Sequence, residues 1–370
     1  PASHAPAPRA LPFPPMKTTL RPKLLILSGA RALGLFSLAR YLTRSRLRIL
    51  CYHAGRIGDE DKFNPKLFCS AHTLDARMQW MQARGFQFVT LDEGVKQQAG
   101  AGNKAPLRTV VTFDDGWYST ASELLPVLSR RRIPSTLYLS TKNFLEGWPI
   151  ISVTVRYIIS KAGQARVTVQ GWGDEVDGSY ALADSAQRNR LAAGVVAAIQ
   201  RTASERTQVC AALLRLAGEL DVPAATVDLD SRRFDYLTPQ EVVALPAQGC
   251  SIESHGHVHA YPKGKPLEFA ADLRQCEDTI VGLGLAAPRH YCYPSGSFGA
   301  EATHTLGALR MRSATTCIPG LVGRVDGARC HYLPRFLDGE DVHPLEFESE
   351  MSGFSELMRG AIGLLRPRRA

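Results

Sequence analysis

Short apolar runs of β type recur through the chain, each stopped by polar or glycine residues, with segments of helical period between them. The runs are RLRILCY before His53, FQFVTL at 86–91, RTVVTF at 108–113, PSTLYLS at 134–140, CSIES at 250–254, RHYCY at 289–293, RSATTCI at 312–318 and HYLPRF at 331–336. Leu74, Met78 and Met81, then Leu124, Leu125 and Leu128, then Leu273, Cys276 and Ile280 carry the helical spacing. Strand alternating with helix requires parallel strands joined by crossovers, so the expected class is α/β, either a layered sheet or a (β/α) barrel. The number of runs suffices for a barrel.

Residues 144–237 break this rhythm with a Trp-containing loop, the Gly/Asp-rich GWGDEVDG and the long helical segment RNRLAAGVVAAIQRTASERTQVCAALLRLAGEL. They are expected to form an insertion, a mostly helical cap. YLTPQEVVAL restarts the alternation, with Thr238 as N-cap and Pro239 at the first helical position. The expected division is a flexible Pro/Ala-rich leader at 1–15, a basic amphipathic segment at 16–47, the α/β domain at 48–345 with its insertion, and a basic helix or tail at 346–370. A chain of 370 residues, 45% hydrophobic and 21% charged, has ample material for a core of that size.

The apolar stretch from Leu24 is broken by Arg31 and Arg40 before it reaches the roughly 20 residues of a membrane-spanning helix. It reads instead as an amphipathic basic helix, packed on the domain or lying on an anionic membrane surface. The net charge of +9 gathers near the two ends rather than in stripes interleaved with aromatics, which argues against a nucleic-acid reader. Eight cysteines are scattered singly with no CxxC spacing, a pattern of reduced thiols that leads to a cytoplasmic expectation, with peripheral contact on the inner membrane.

Chemistry concentrates at two strand ends. TVVTFDDGWYST delivers two adjacent carboxylates, Asp114 and Asp115, where a β run stops, and ligands bind at that edge in parallel α/β folds. Asp115-Gly116 is equally a turn signal by itself. SIESHGHVHAYP places His255, His257 and His259 directly after another β run. Three imidazoles so close are costly to bury unpaired, which favours metal ligation. An extended segment would put all three on one face; a helical turn would bring together only His255 and His259. A carboxylate with imidazoles suits Zn²⁺, with Fe²⁺, Co²⁺, Ni²⁺ or Mn²⁺ as alternatives, and a second carboxylate beside them could deprotonate a water whose pKa the cation lowers towards about 7.

At these residues the sequence resembles the polysaccharide deacetylases, the NodB homology group or carbohydrate esterase family 4. TFDDG resembles their first motif, SHGHVH is similar to their His-x-x-x-His motif, and YCYPSG at Tyr291 to Gly296 matches their aromatic-x-x-Pro-x-Gly turn. ILCYH, GFQFVTLDEG, the YLTPQEVVAL lead and HYLPRF extend the likeness over residues 48–340. The resemblance implies a distorted (β/α) barrel, with Asp114 as catalytic base and Asp115, His255 and His259 as metal ligands. It also implies that the backbone N–H of Ser295 helps to stabilise an oxyanion. The implied reaction removes acetyl from N-acetylated sugars of a polysaccharide or lipid-linked glycan.

Departures from the family pattern set further expectations. Cys292 stands where many members carry the Arg that tethers the base, so Arg289 or Arg335 is expected to serve instead. The general acid is expected at His343 in EDVHPLEF, with His331 second. His53 should lie near the barrel mouth, and Trp117 should either stack on sugar or fill core. Two other readings stay open: an O-acetyl esterase, and a catalytically weak carbohydrate-binding protein of polysaccharide assembly.

Overall fold

The computed structural model describes residues 22–100 and 107–365, so the expected leader at 1–15 and the last five residues lie outside the described residues. Seven parallel strands form the centre: β1 Arg48–Tyr52, β2 Arg108–Asp115, β3 Ser135–Leu139, β4 Cys250–Ser254, β5 His290–Cys292, β6 Ser313–Thr315 and β7 Phe336–Leu337. Their spatial order is β6-β5-β4-β3-β2-β1-β7, so neighbours in sequence are neighbours in space and the last strand returns to the first. The β6–β7 seam is narrow. One bridge, Thr315 to Leu333, spans it, with Leu333 N–H donating to the Ala314 carbonyl and Thr316 N–H to that of Leu333. The sheet is therefore a curled, distorted (β/α) barrel.

Alternation within β2 decides what each residue does. Val111 and Phe113 point out to the helices, packing with Leu74, Met78 and Met81 of the helix Ala71–Gln82, whereas Val110 faces the barrel interior with Ile49 and Tyr138. Asp114 shares the parity of Val110 and so points inward. The expected strand FQFVTL contributes only the pair Gln87–Phe88, which joins the start of β2 before Thr90 opens a capping box with Glu93. HYLPRF is likewise shorter as a strand than expected, because Gly327–His331 is a 3₁₀ turn.

The insertion has a core of its own. Val155 and Ile158 of the helix Ile151–Lys161 pack with Leu191 and Val195 of Ser185–Thr202 and with Leu213 and Leu216 of Arg206–Glu219. The Gly/Asp-rich stretch is the turn of an antiparallel hairpin between Arg166–Val169 and Gly178–Ala181, an addition to the mostly helical cap that was expected. Thr238 caps the next helix with Pro239 at its first position, and Glu241 completes a capping box.

Buried Glu253 on β4 accepts hydrogen bonds from the N–H groups of Arg289 and His290 at 2.6 and 2.8 Å, pinning β5 to β4. Burial nevertheless pushes its carboxyl up to about 7 from 4.5. A carboxyl raised in the fold binds more protons folded than unfolded, so stability falls as pH rises through that interval, by up to about 3 kcal/mol. Glu253→Gln is expected to flatten the decline of chemical-denaturation stability between pH 4.5 and 7. An unchanged slope would remove Glu253 as its cause.

Candidate active site

The carboxyl ends of β1, β2, β4 and β5 carry the functional side chains. At the end of β2 the backbone of Asp115 turns into the left-handed region, φ 76°, and Gly116 follows at φ 97°. A Cβ at Gly116 would lie 2.5 Å from Leu139 Cδ1, so only glycine fits this bend. The bend separates the two carboxylates: Asp114 points into the barrel and Asp115 towards the segment beyond β4.

That segment is neither extended strand nor helix. Gly256 has φ 78°, and a Cβ there would come within 2.6 Å of Asp272 Oδ2. Asp272, on the helix Pro266–Gly282, accepts the N–H groups of His257 and Val258 at 2.9 and 2.8 Å. His259 takes φ 54°, an unfavourable conformation for a side chain of its size and one that concentrates at functional sites. The turn brings His255 and His259 together, their ring centroids 4.9 Å apart, while His257 turns away and its Nδ1 pairs with Thr141 Oγ1 at 2.9 Å. The three-histidine arrangement is thereby excluded in this conformation.

Asp115 Oδ1 lies 3.2 Å from His255 Nε2 and 3.0 Å from His259 Nε2. It is buried without a hydrogen-bond donor of proper geometry. His255 Nδ1 faces the Cys292 carbonyl at 2.8 Å, where only a protonated Nδ1 is stable, so in the neutral imidazole the lone pair is on Nε2 and faces the carboxylate. The other carboxylate oxygen is engaged by Trp117 Nε1 at 3.1 Å. The ligand atoms of Asp115, His255 and His259 all lie within 4.8 Å of one another. Such a set of converging acceptors fits a divalent cation.

Asp114 sits beside this cluster, buried and held by Arg335 in a two-pronged pair, Nη1 to Oδ1 at 2.7 Å and Nη2 to Oδ2 at 2.8 Å. The Sγ atoms of Cys51 and Cys292 each stand 3.5 Å from Oδ2, and Arg335 Nη2 also reaches Cys292 Sγ at 3.0 Å. Burial opposes ionisation of Asp114, but the Arg335 charge outweighs it and holds the carboxyl well below its ordinary value. His53 Nε2 is 3.9 Å from Asp114 Oδ2, at the end of β1, with its carbonyl accepting the Thr120 hydroxyl from the π-helical turn Thr120–Leu124.

Three expectations need correction, at Arg289, His343 and His331, and at Trp117 the structure takes the core alternative. Arg289 lies at the opposite, amino-terminal end of β5, its guanidinium half-exposed and 3.7 Å from Asp92, so it does not reach the base. His343 is an exposed N-cap whose Nδ1 accepts the Leu345 N–H at 3.1 Å, and Glu346 completes a capping box there. His331 is buried against the Met311 carbonyl, 2.9 Å away, before β6 starts. Trp117 is buried edge-on against Phe68 and orients Asp115, so it offers no sugar-stacking face. Ser295 occupies the turn beyond β5 at φ 54°, on the same edge as the cluster.

Sequence reasoning passed over Asp272 and the Cys292 carbonyl. The first left a readable trace: a carboxylate on the apolar stripe Phe269, Leu273, Cys276 and Ile280 has to be buried and so needs donors. A backbone carbonyl leaves no trace in composition.

The family model described as polysaccharide deacetylase matches residues 202–314, which include the histidine motif and the Tyr291 turn. Among solved structures, the chain is similar to Streptococcus pyogenes deacetylase PplD in complex with acetate at 14% identity and a TM-score of 0.54, covering 84% of this chain and 99% of that one. IcaB from Ammonifex degensii aligns at 15% identity and a TM-score of 0.49, covering 83% of this chain and 97% of that one. No curated protein sequence matches the chain. Over residues 202–314 the chain is thus similar to the polysaccharide deacetylases, and it shares its barrel fold with PplD.

Proposed function

We propose that this chain is a divalent-metal-dependent hydrolase that removes acetyl groups from N-acetylated sugars of a polysaccharide or lipid-linked glycan. The observation that carries the reading is the pairing of the acceptor cluster Asp115, His255 and His259 with an ionised, Arg-held carboxylate at Asp114. A binding protein has no use for a buried base held beside a cation site, which weighs against the carbohydrate-binding alternative. A Zn²⁺-type ion held by those three residues would lower the pKa of water and polarise the acetyl carbonyl.

The chain's own groups then divide the work. Asp114 takes the proton of the attacking water; Arg335 keeps it anionic and fixes its direction. Ser295, in the turn beyond β5, would offer its backbone N–H to the charge developing on the acetyl oxygen. We assign protonation of the departing amine to His53, which is half-buried at the strand end nearest Asp114. His53→Gln is expected to lower the rate about 10²-fold and to flatten one limb of the pH–rate profile. A profile with both limbs intact would return the role to another group.

A cavity of about 330 Å³ opens beside the histidine loop, lined by Lys142, Asn143, Glu146, Trp148, Gln200 and Tyr236 from the barrel rim and the insertion. Its mixed polar and aromatic lining suits further sugar units of the substrate. The test of the reading is acetate release by the Zn²⁺-loaded enzyme from N-acetylated and O-acetylated oligosaccharides. Release from the amide substrate is expected. Release from the ester alone would make the chain an esterase, and release from neither would overturn the assignment. The eight unpaired thiols support placement in a reducing compartment, the cytoplasm.

A further inference from the structure

The two helices before β1, Pro22–Ala32 and Leu35–Leu42, each carry two apolar faces, and the fold uses only one. Leu27, Ala30 and Phe36 pack on Leu345 and Phe354 of the two carboxyl-terminal helices, Pro344–Ser352 and Phe354–Leu365. The expected single amphipathic helix is thus a docked pair, bent by 78° at a left-handed Gly34. The other face is open: Leu25, Ile26, Leu33, Leu38, Tyr41 and Leu42 are all more than half exposed, with Leu33 at 77% and Ile26 at 66%. Leu35, Leu38 and Leu42 recur at helical spacing, about a third of a turn around the helix from the docked Phe36 and Ala39. Met358 and Ile362 on the last helix, which packs on Leu35–Leu42, are also exposed. A soluble monomer rarely leaves so many large apolar side chains open in one region.

Charge identifies the occupant. The sequence has no acidic residue before Asp59, while Lys17, Arg21, Lys23, Arg31, Arg40, Arg44 and Arg46 fall in or beside these helices, and Arg366, Arg368 and Arg369 follow the last one. Three of these cations, Lys23, Arg31 and Arg46, are paired with Glu346, Glu348 and Glu356 of the two carboxyl-terminal helices, which fixes the helices on them. An apolar face in a stretch of sequence this rich in cations and free of acids is complementary to an anionic bilayer surface. No single described helix is long and apolar enough to cross a membrane, and the 78° bend sets helices of about 16 and 12 Å across one another rather than along one axis, against a hydrocarbon core of about 30 Å.

We propose that this helix pair seats the enzyme peripherally on an anionic membrane, its outer apolar face dipping into the headgroup region. This goes beyond the catalytic reading and is independent of it. The test is co-sedimentation of the full chain with vesicles of phosphatidylcholine, with or without phosphatidylglycerol. Binding is expected with the anionic lipid and about tenfold weaker with phosphatidylcholine alone. The double variant Ile26→Glu, Leu38→Glu is expected to lose about tenfold in vesicle binding while its thermal unfolding and metal content stay unchanged. Leu42→Trp adds a fold-independent readout: its emission should shift to the blue on adding anionic vesicles, and that of Val281→Trp, on the remote helix Pro266–Gly282, should not. Wild-type protein that stays in the supernatant, or equal binding by the double variant, would overturn the proposal. So would self-association in sedimentation equilibrium that the double variant abolishes, since a second copy would then be the occupant.

Discussion

Asp114→Asn is expected to slow acetate release by about 10²–10⁴-fold while the bound metal stays in place. The asparagine keeps the shape of the carboxylate and still offers one oxygen to Arg335, but it has lost the group that accepts a proton. Asp114 does not contribute to the ligand cluster of Asp115, His255 and His259, so metal content separates the two roles. Rate and metal should therefore dissociate in Asp114→Asn and fall together in His255→Ala. An Asp114→Asn enzyme of full activity would remove Asp114 as the base.

The second large effect is on the fold itself. Arg335 and Asp114 are both buried and paired through two hydrogen bonds at 2.7 and 2.8 Å. Arg335→Met leaves the carboxylate inside the barrel without its counter-charge, a change that costs about 3–5 kcal/mol for a broken buried pair. It also lets the Asp114 carboxyl rise from its depressed value, so activity should fall along with stability and its acid limb should move to higher pH. Arg335→Lys keeps a charge but not the fork, and should retain more stability than Arg335→Met without restoring full activity. Denaturation midpoints and pH–rate profiles of both variants check this. If Arg335→Met proved as stable as the parent, the pair would not be holding the site.

The tether explains why the departure at Cys292 was hard to read. Tethering requires a cation at a point in space, not at a point in the motif. Cys292 on β5 and Arg335 just before β7 reach the same carboxylate from different strands, and Cys292 Sγ lies 3.0 Å from Arg335 Nη2. A thiol fills the vacated volume while the guanidinium enters from another direction. Arg289 and Arg335 were equivalent in sequence because neither strand polarity nor the closing β7–β1 pairing, Leu50 to Phe336, can be seen there.

Local signals carried the rest unevenly. The carboxylate pair and the histidine spacing were legible because strand ends and short-range turns are written in contiguous residues. The parallel sheet followed from alternation, its curl only from the family resemblance, and the cap at Thr238 from local cap signals. The hairpin at 166–181 was missed because its glycines and aspartates form the turn, and its strands are only four residues each. His343 looked like a catalytic imidazole but serves as a cap ahead of Pro344, a signal as local as the one at Thr238 and one that could have been recognised.

The central claim is that Asp115, His255 and His259 hold one divalent ion. Calorimetric titration of the chelator-treated full chain with Zn²⁺, for the wild type and Asp115→Ala, tests it most directly. The account predicts one equivalent bound by the wild type and an affinity reduced in Asp115→Ala by more than about 100-fold, the upper end of what changes beyond the ligands themselves produce. One equivalent bound by Asp115→Ala with unchanged affinity would contradict it.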